Sequence, residues 1–187
     1  MAVADVADWD KMSLTDVDEA PAAGLKVKFN GLEITKMGQT LTPTQVKNLP
    51  LFINWKGMKP KSLYTLLLVD LDAPSRQNPT AREWFHFMLN DMKGNDLDTG
   101  IVQTEFISAM PPQNSGLHRY VWLVYEQTEK LGIREAIIGS DQIERRAKFK
   151  TATFRKQFDM GPPVAGTCFQ AEWDSYVTTL QKKLFGM

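Results

Sequence analysis

Three apolar runs rich in β-branched and aromatic residues, each closed off by proline or glycine, limit what this chain can fold into. They cover residues 63–69, 83–89 and 118–125. Each is far too short to span a bilayer as a helix and has the length and residue types of a strand. Breaker clusters separate them: Ala73-Pro74-Ser75, Pro111-Pro112 and Ser115-Gly116. Upstream, Leu25-Lys26-Val27-Lys28-Phe29 alternates strictly, and Asn30-Gly31 marks a hairpin turn. Residues 1–23 are expected to form a short helix and an arm. Thr42-Pro43-Thr44-Gln45 carries the cap and first turn of another short helix.

The last quarter changes period. Over 143–158, Ala147, Thr151, Phe154 and Phe158 fall at helical spacing, with basic residues between them. Over 171–185, Trp173, Tyr176, Val177, Leu180 and Leu184 form a second stripe. Strands first and helices last imply a mainly β fold, with an antiparallel sheet core and helices at one side or end. No repeat or linker divides the chain, and its 187 residues suit one domain over 1–187.

Composition removes several function classes. Lys and Arg total 22 against 22 for Asp and Glu, and a net charge of zero argues against general nucleic-acid binding. The first residues lack the basic and apolar regions of a secretory signal. The single cysteine, Cys168, cannot form an internal disulfide, which fits a cytoplasmic setting. No basic amphipathic anchor stands out, so membrane contact is expected to be peripheral at most. A monomer without a cofactor is the expectation.

Only two histidines are available for chemistry. On a strand, Trp84, His86 and Met88 share one face, and His118, Tyr120 and Trp122 share another. Read from spacing alone, the histidines are two unrelated residues, one in the core and one at a strand start. Asp70 and Asp72 end an apolar run two residues apart and so point to one side, where function often sits; ordinary turn chemistry explains them equally. A zinc site from two histidines and an aspartate fits by ligand type, but no spacing requires it. No nucleophile elbow or phosphate-binding loop is present, and Cys168 has no nucleophile signature.

Asp70-Leu71-Asp72-Ala73-Pro74-Ser75-Arg76, Arg82-Glu83-Trp84-Phe85-His86 and Gly116-Leu117-His118-Arg119-Tyr120 together resemble the motifs of the phosphatidylethanolamine-binding protein family. The similarity runs nearly end to end and is strongest toward the animal branch that includes Raf kinase inhibitor protein. It implies an antiparallel β-sandwich with peripheral and C-terminal helices and a small anion pocket at its surface. By position, Asp70, His86, His118 and Tyr120 are expected to line that pocket, with Trp84, Met110, Pro112 and Leu184 as its apolar walls. The histidine N–H groups would donate to a phosphate, and Asp70 would orient one ring. Cis peptides are expected at Ala73-Pro74 and Arg82-Glu83.

The resemblance further implies a non-enzymatic binding and regulatory protein. Its ligand would be a phosphate-bearing small molecule, nucleotide or phospholipid head group, and its partner a signalling kinase such as Raf. Thr153, on the basic helical stretch, takes the place of a phosphorylated serine. Serine protease inhibition is the alternative, and a hydrolase or lyase using His86 and His118 is a third class. The chain departs from the family at the rim: Ser108 and Met110 replace glycines, Ala81 a tyrosine, Leu71 a proline and Phe85 a histidine. A divergent member whose rim no longer admits the usual head group also fits that pattern.

Overall fold

The computed structural model describes residues 3–186. Among them are ten strands: β1 (Ala23–Gly24), β2 (Lys26–Phe29), β3 (Leu32–Glu33), β4 (Gln39–Thr40), β5 (Phe52–Asn54), β6 (Leu63–Asp70), β7 (Trp84–Lys93), β8 (Ile101–Thr104), β9 (His118–Glu126) and β10 (Ala165–Ala171). Two α-helices follow late in the chain, α1 (Thr151–Gln157) and α2 (Ser175–Phe185). The larger sheet has the order β1-β10-β9-β6-β7-β8, with β4 also paired to β10. β1 and β4 run parallel to β10, and every other pair in that sheet is antiparallel. A smaller antiparallel sheet has the order β3-β2-β5. The architecture is the expected mainly antiparallel β-sandwich, with two short parallel additions at one edge.

The central strands are covered on both faces, which is why their sequences are almost continuously apolar. Along β6, Leu66 and Leu68 pack with Val27, Phe29 and Ile53 of the smaller sheet. Leu67 and Val69 face the other way, onto Trp9, Leu14 and Val17 of the N-terminal segment. β9 divides in the same manner, with Tyr120, Trp122 and Val124 on the first face and Val121, Leu123 and Tyr125 on the second. Phe149, Phe154 and Phe158 extend the second layer from α1 and its flanks.

Local structure departs from the helical spacing in four places. The N-terminal segment forms 3-10 turns at Val6–Asp8 and Leu14–Asp16 instead of an α-helix. At Thr42 the carbonyl accepts from Gln45 N–H at 3.0 Å and Val46 N–H at 3.3 Å, and this single turn does not extend into a helix. The 143–158 stretch is not one helix: a 3-10 turn at Ile143–Arg145 is followed by α1 only from Thr151. The interruption occurs where Arg146 turns inward to bond backbone carbonyls. Asp174 caps α2 by accepting from Tyr176 N–H at 3.0 Å, so Trp173 stays outside the helix. No helix among the described residues is long and apolar enough to cross a membrane.

A buried ion pair fixes the end of β6 against the start of β9. Asp72 Oδ2 accepts from the backbone N–H and the Nε–H of Arg119, both at 2.9 Å, and Oδ1 accepts from Nη2 at 2.7 Å. Burial pushes the Asp72 carboxyl up, but the hydrogen bonds and charge of Arg119 outweigh it and hold the group below its ordinary value. Stability from a depressed carboxyl is present above its unfolded value and is lost as pH falls through the folded one. Asp72→Asn leaves a guanidinium buried beside a neutral amide, and a loss of about 3–5 kcal/mol is expected at neutral pH. Urea unfolding reads this directly, and an unchanged midpoint would contradict it.

Glu83 behaves in the opposite sense. It is buried, accepts from Thr151 N–H at 3.1 Å and also from the Thr151 hydroxyl, and so anchors the start of α1. Burial pushes its carboxyl up to about 7. Stability linked to a raised carboxyl is complete below the unfolded value and is lost as pH climbs through the folded one. Glu83→Gln keeps the acceptor and removes the charge. It is expected to match the wild type at about pH 4 and to exceed it by on the order of 2–3 kcal/mol at about pH 8.5. Superimposable pH–stability curves for the two proteins would rule this out.

Candidate functional site

The candidate site forms where β6 ends beside the starts of β7 and β9. Asp70 pairs with Trp84 on one side and Tyr120 on the other. Between the pairs Leu68–Phe87 and Val69–Phe85 the register slips, leaving His86 as an extra residue on β7. Such a bulge re-aims a side chain. His86 lies edge-on to Tyr120 with ring centroids 5.3 Å apart, and tilts against Trp84 at 4.5 Å. Met88, expected on the face of Trp84 and His86, packs on the opposite layer with Phe85 and Leu67, because the extra residue shifts the alternation.

Arg146 holds the bulge in place. Its fully buried guanidinium donates from Nη1 to Phe85 O at 3.0 Å and His86 O at 3.2 Å. Nη2 donates to Glu105 O at 2.8 Å and Gly139 O at 2.9 Å. Burial pulls the guanidinium down to about 10.

The two histidines are bonded differently. His86 Nδ1 lies 2.7 Å from Ile107 O. A carbonyl only accepts, so Nδ1 carries the hydrogen and Nε2 keeps a lone pair. Burial pulls the His86 imidazole down to about 4, with the Asp70 charge opposing, so the ring is neutral at pH 7. His118 Nδ1 lies 2.8 Å from Asp70 Oδ2, and Nε2 lies 2.8 Å from Ser115 Oγ. The Ser115 hydroxyl also donates to Pro112 O at 2.7 Å, so both His118 nitrogens are already engaged within the protein. Neither ring has an uncommitted N–H for a phosphate oxygen. What the histidine pair offers a ligand is one acceptor, His86 Nε2.

Around these groups lies a cavity of ≈ 170 Å³ lined by Asp70, His86 and His118, with Trp84, Met110 and Pro112 as apolar walls. Ala73, Pro74 and Ala81 close it from the loop after β6, and the peptides Ala73-Pro74 and Arg82-Glu83 bracketing that loop are both cis. Tyr120 does not reach the cavity. It is fully buried between His118 and Phe169, with the Asp70 carboxylate near its hydroxyl. Burial, then the Asp70 charge, holds its phenol well above the ordinary value. Leu184 also falls outside: from the last turn of α2 it lines a neighbouring cavity with Tyr176 and Leu180.

Asp70 and Asp72 do not act on one side. Asp70 bonds His118 whereas Asp72 bonds Arg119, and adjacent residues of β9 point to opposite faces. The alternation invoked for the pair stops because β6 ends at Asp70. Thr153 is exposed near the start of α1. Among the described residues no three His, Cys, Asp or Glu side chains converge as a metal site. Cys168 is buried, and burial pushes its thiol up to about 12. Ile107, Ser115 and Arg146 were not singled out from the sequence. The first acts through its backbone, Ser115 signals only a turn, and Arg146 stands in a charged run typical of an exposed surface.

A sequence profile of the family described as phosphatidylethanolamine-binding protein matches residues 26–161. The putative odorant-binding protein A5 of Drosophila melanogaster is 36% identical over 171 residues, covering 91% of this chain and 80% of that protein. Among solved structures, the carboxypeptidase Y inhibitor complexed with its cognate proteinase gives a TM-score of 0.74 at 20% identity, covering 90% of this chain and 95% of that one. A phosphatidylethanolamine-binding protein from Plasmodium vivax gives 0.68 at 15% identity, covering 93% and 100%. At those identities the two structures attest the fold, while the profile and the fly relative attest descent: the chain belongs to the phosphatidylethanolamine-binding protein family.

Proposed function

We propose that this chain is a binding protein, not a catalyst, whose pocket takes a small, largely apolar molecule through one hydrogen bond donated to His86 Nε2. The observation that carries this is the bond from His86 Nδ1 to Ile107 O at 2.7 Å, which leaves a neutral ring with its acceptor toward the cavity. Acid–base catalysis by the histidine pair gains no support, because both His118 nitrogens are engaged and His86 stays uncharged. A cavity of ≈ 170 Å³ suits a ligand of about benzene size, since an engineered apolar cavity of roughly 150 Å³ accepts benzene. The fly relative is named a putative odorant-binding protein, which agrees with a small organic ligand.

Phosphate-bearing head groups belong to the same proposal in one protonation state. A phosphate monoester carries an acidic hydrogen below its second pKa, at about pH 6, and can then donate to His86 Nε2. The dianion has no hydrogen to give and would meet a lone pair. Binding of methyl phosphate, which has no other donor, is therefore expected to strengthen severalfold from about pH 7.5 to about pH 5.5, while benzyl alcohol binds equally at both. Calorimetry and the His86 ring resonances give the readout; an affinity for methyl phosphate that rises with pH would defeat the assignment. Met110→Gly removes a flexible wall and is expected to tighten head-group binding without altering this pH trend.

The partner part of the proposal is modulation of a signalling kinase, such as a Raf-type kinase, through the face that carries Thr153. Its support is the exposure of Thr153 between Lys150 and Lys156 near the start of α1. A phosphate there would add roughly 1.5–2 negative charges among those cations. A kinase preferring basic surroundings is expected to label the folded protein at Thr153 and to lose that label in Thr153→Ala. Equal labelling of the two proteins would remove this position.

A further inference from the structure

Two rim and wall residues noted in the sequence, Ser108 and Leu184, line a second cavity of ≈ 310 Å³ that shares no lining residue with the histidine pocket. It lies between α2, the 47–49 turn and the segment that follows β8. Its volume is at the lower end of the roughly 300–1,000 Å³ usual for small-molecule sites. Leu49, Phe106, Leu180 and Leu184 give it apolar walls. The charged residues lining it are both cations, Lys47 and Lys183. Both are exposed, and neither pairs with a carboxylate among the described residues.

Ser108 supplies an independent sign of a ligand. It is 3% exposed, and its hydroxyl has no hydrogen-bond partner among the described residues. Most buried hydroxyls are paired, and among the unpaired ones Ser108 belongs to a cavity wall, where a ligand oxygen can complete it. Ser140 and Tyr176 bring two further hydroxyls to the same cavity. Cations and hydroxyls beside an apolar wall select a molecule with an anionic head and a hydrocarbon body.

We propose that this cavity is a second ligand site for a small amphiphilic anion, its carboxylate or phosphate head held by Lys47, Lys183 and the Ser108 hydroxyl and its chain laid against Phe106, Leu180 and Leu184. The site stands apart from the His86 pocket in residues and in chemistry. Its ligand needs a charge, whereas the first pocket takes a hydrogen-bond donor. The segment from Phe106 to Ser108 forms part of its wall while Ile107 O bonds His86, so the two sites share one stretch of backbone.

Amide-resolved NMR titration tests the assignment with octanoate, octyl phosphate, 1-octanol and inorganic phosphate as probes. Both octyl anions are expected to shift amides at 47–49, 106–108 and 180–184. Octanol and inorganic phosphate, each lacking half of the required chemistry, should bind at least about tenfold more weakly. The double variant Lys47→Gln/Lys183→Gln, changed at two exposed positions, should lose about tenfold or more for both anions. Ser108→Ala should weaken them by a smaller factor. The stronger of the two octyl anions identifies the head group. Octanol binding as tightly as octanoate, full affinity in the double lysine variant, shifts confined to Trp84, Met110 and His118, or no shift at millimolar probe would each overturn the site. Shifts confined to Trp84, Met110 and His118 would place the anions in the histidine pocket instead; the other results leave ligand binding at His86 untouched.

Discussion

The buried pair of Asp72 and Arg119 sets the frame for the rest of the molecule. Arg119 is in β9 and Asp72 lies just past β6, and the three hydrogen bonds to the carboxylate lock the end of β6 to the start of β9. With that register fixed, Asp70 meets His118. The same ion pair organises what lies around it. Arg119 Nη1 donates to Met12 O at 2.7 Å, pinning the N-terminal segment, and Arg82 Nη2 reaches Asp72 Oδ1 at 3.3 Å from the loop beside the cavity. Replacing such a pair by apolar groups can be neutral, but removing one partner strands a charge. Its contribution is therefore as much to register as to stability.

A second guanidinium shapes the pocket with no carboxylate bonded to it. Arg146 donates from Nη1 and Nη2 to four carbonyls, two of them from the bulge that carries His86. Main-chain oxygens disperse its charge without adding a counterion beside the imidazole. That environment agrees with a neutral His86: burial and a nearby cation both disfavour a second proton, and Asp70 only partly offsets them.

The sheet was largely legible because its signals are local. Strand β6 begins at Leu63 as its apolar run implies, and the Asn30-Gly31 turn joins β2 to β3 with Gly31 at φ +73. Helix lengths were less legible, since periodicity cannot register that Arg146 is diverted from a surface into the core. The candidate site was legible mainly through resemblance. Spacing alone did not bring His86 and His118 together, because their proximity is a product of strand order and a bulge. The hydrogen-bond polarity of the pocket was not legible at all. It depends on Ile107 O and Pro112 O, and backbone carbonyls leave no mark in an amino-acid sequence.

Asp18 ties two remote parts of the chain to its own N-terminal segment. It accepts from Tyr125 Oη at 2.7 Å and from Arg155 Nε at 2.7 Å, and its own carbonyl accepts from Trp9 Nε1 at 3.1 Å. Tyr125 and Arg155 follow Asp18 by 107 and 137 residues. During synthesis the N-terminal segment leaves the ribosome long before its partners exist, so one face of the sheet must wait for its cover. Closing contacts of such high sequence separation is slow, and uncovered sheet faces are prone to associate. The Asp18 knot therefore makes a segment synthesised before its partners among the last to reach its final place.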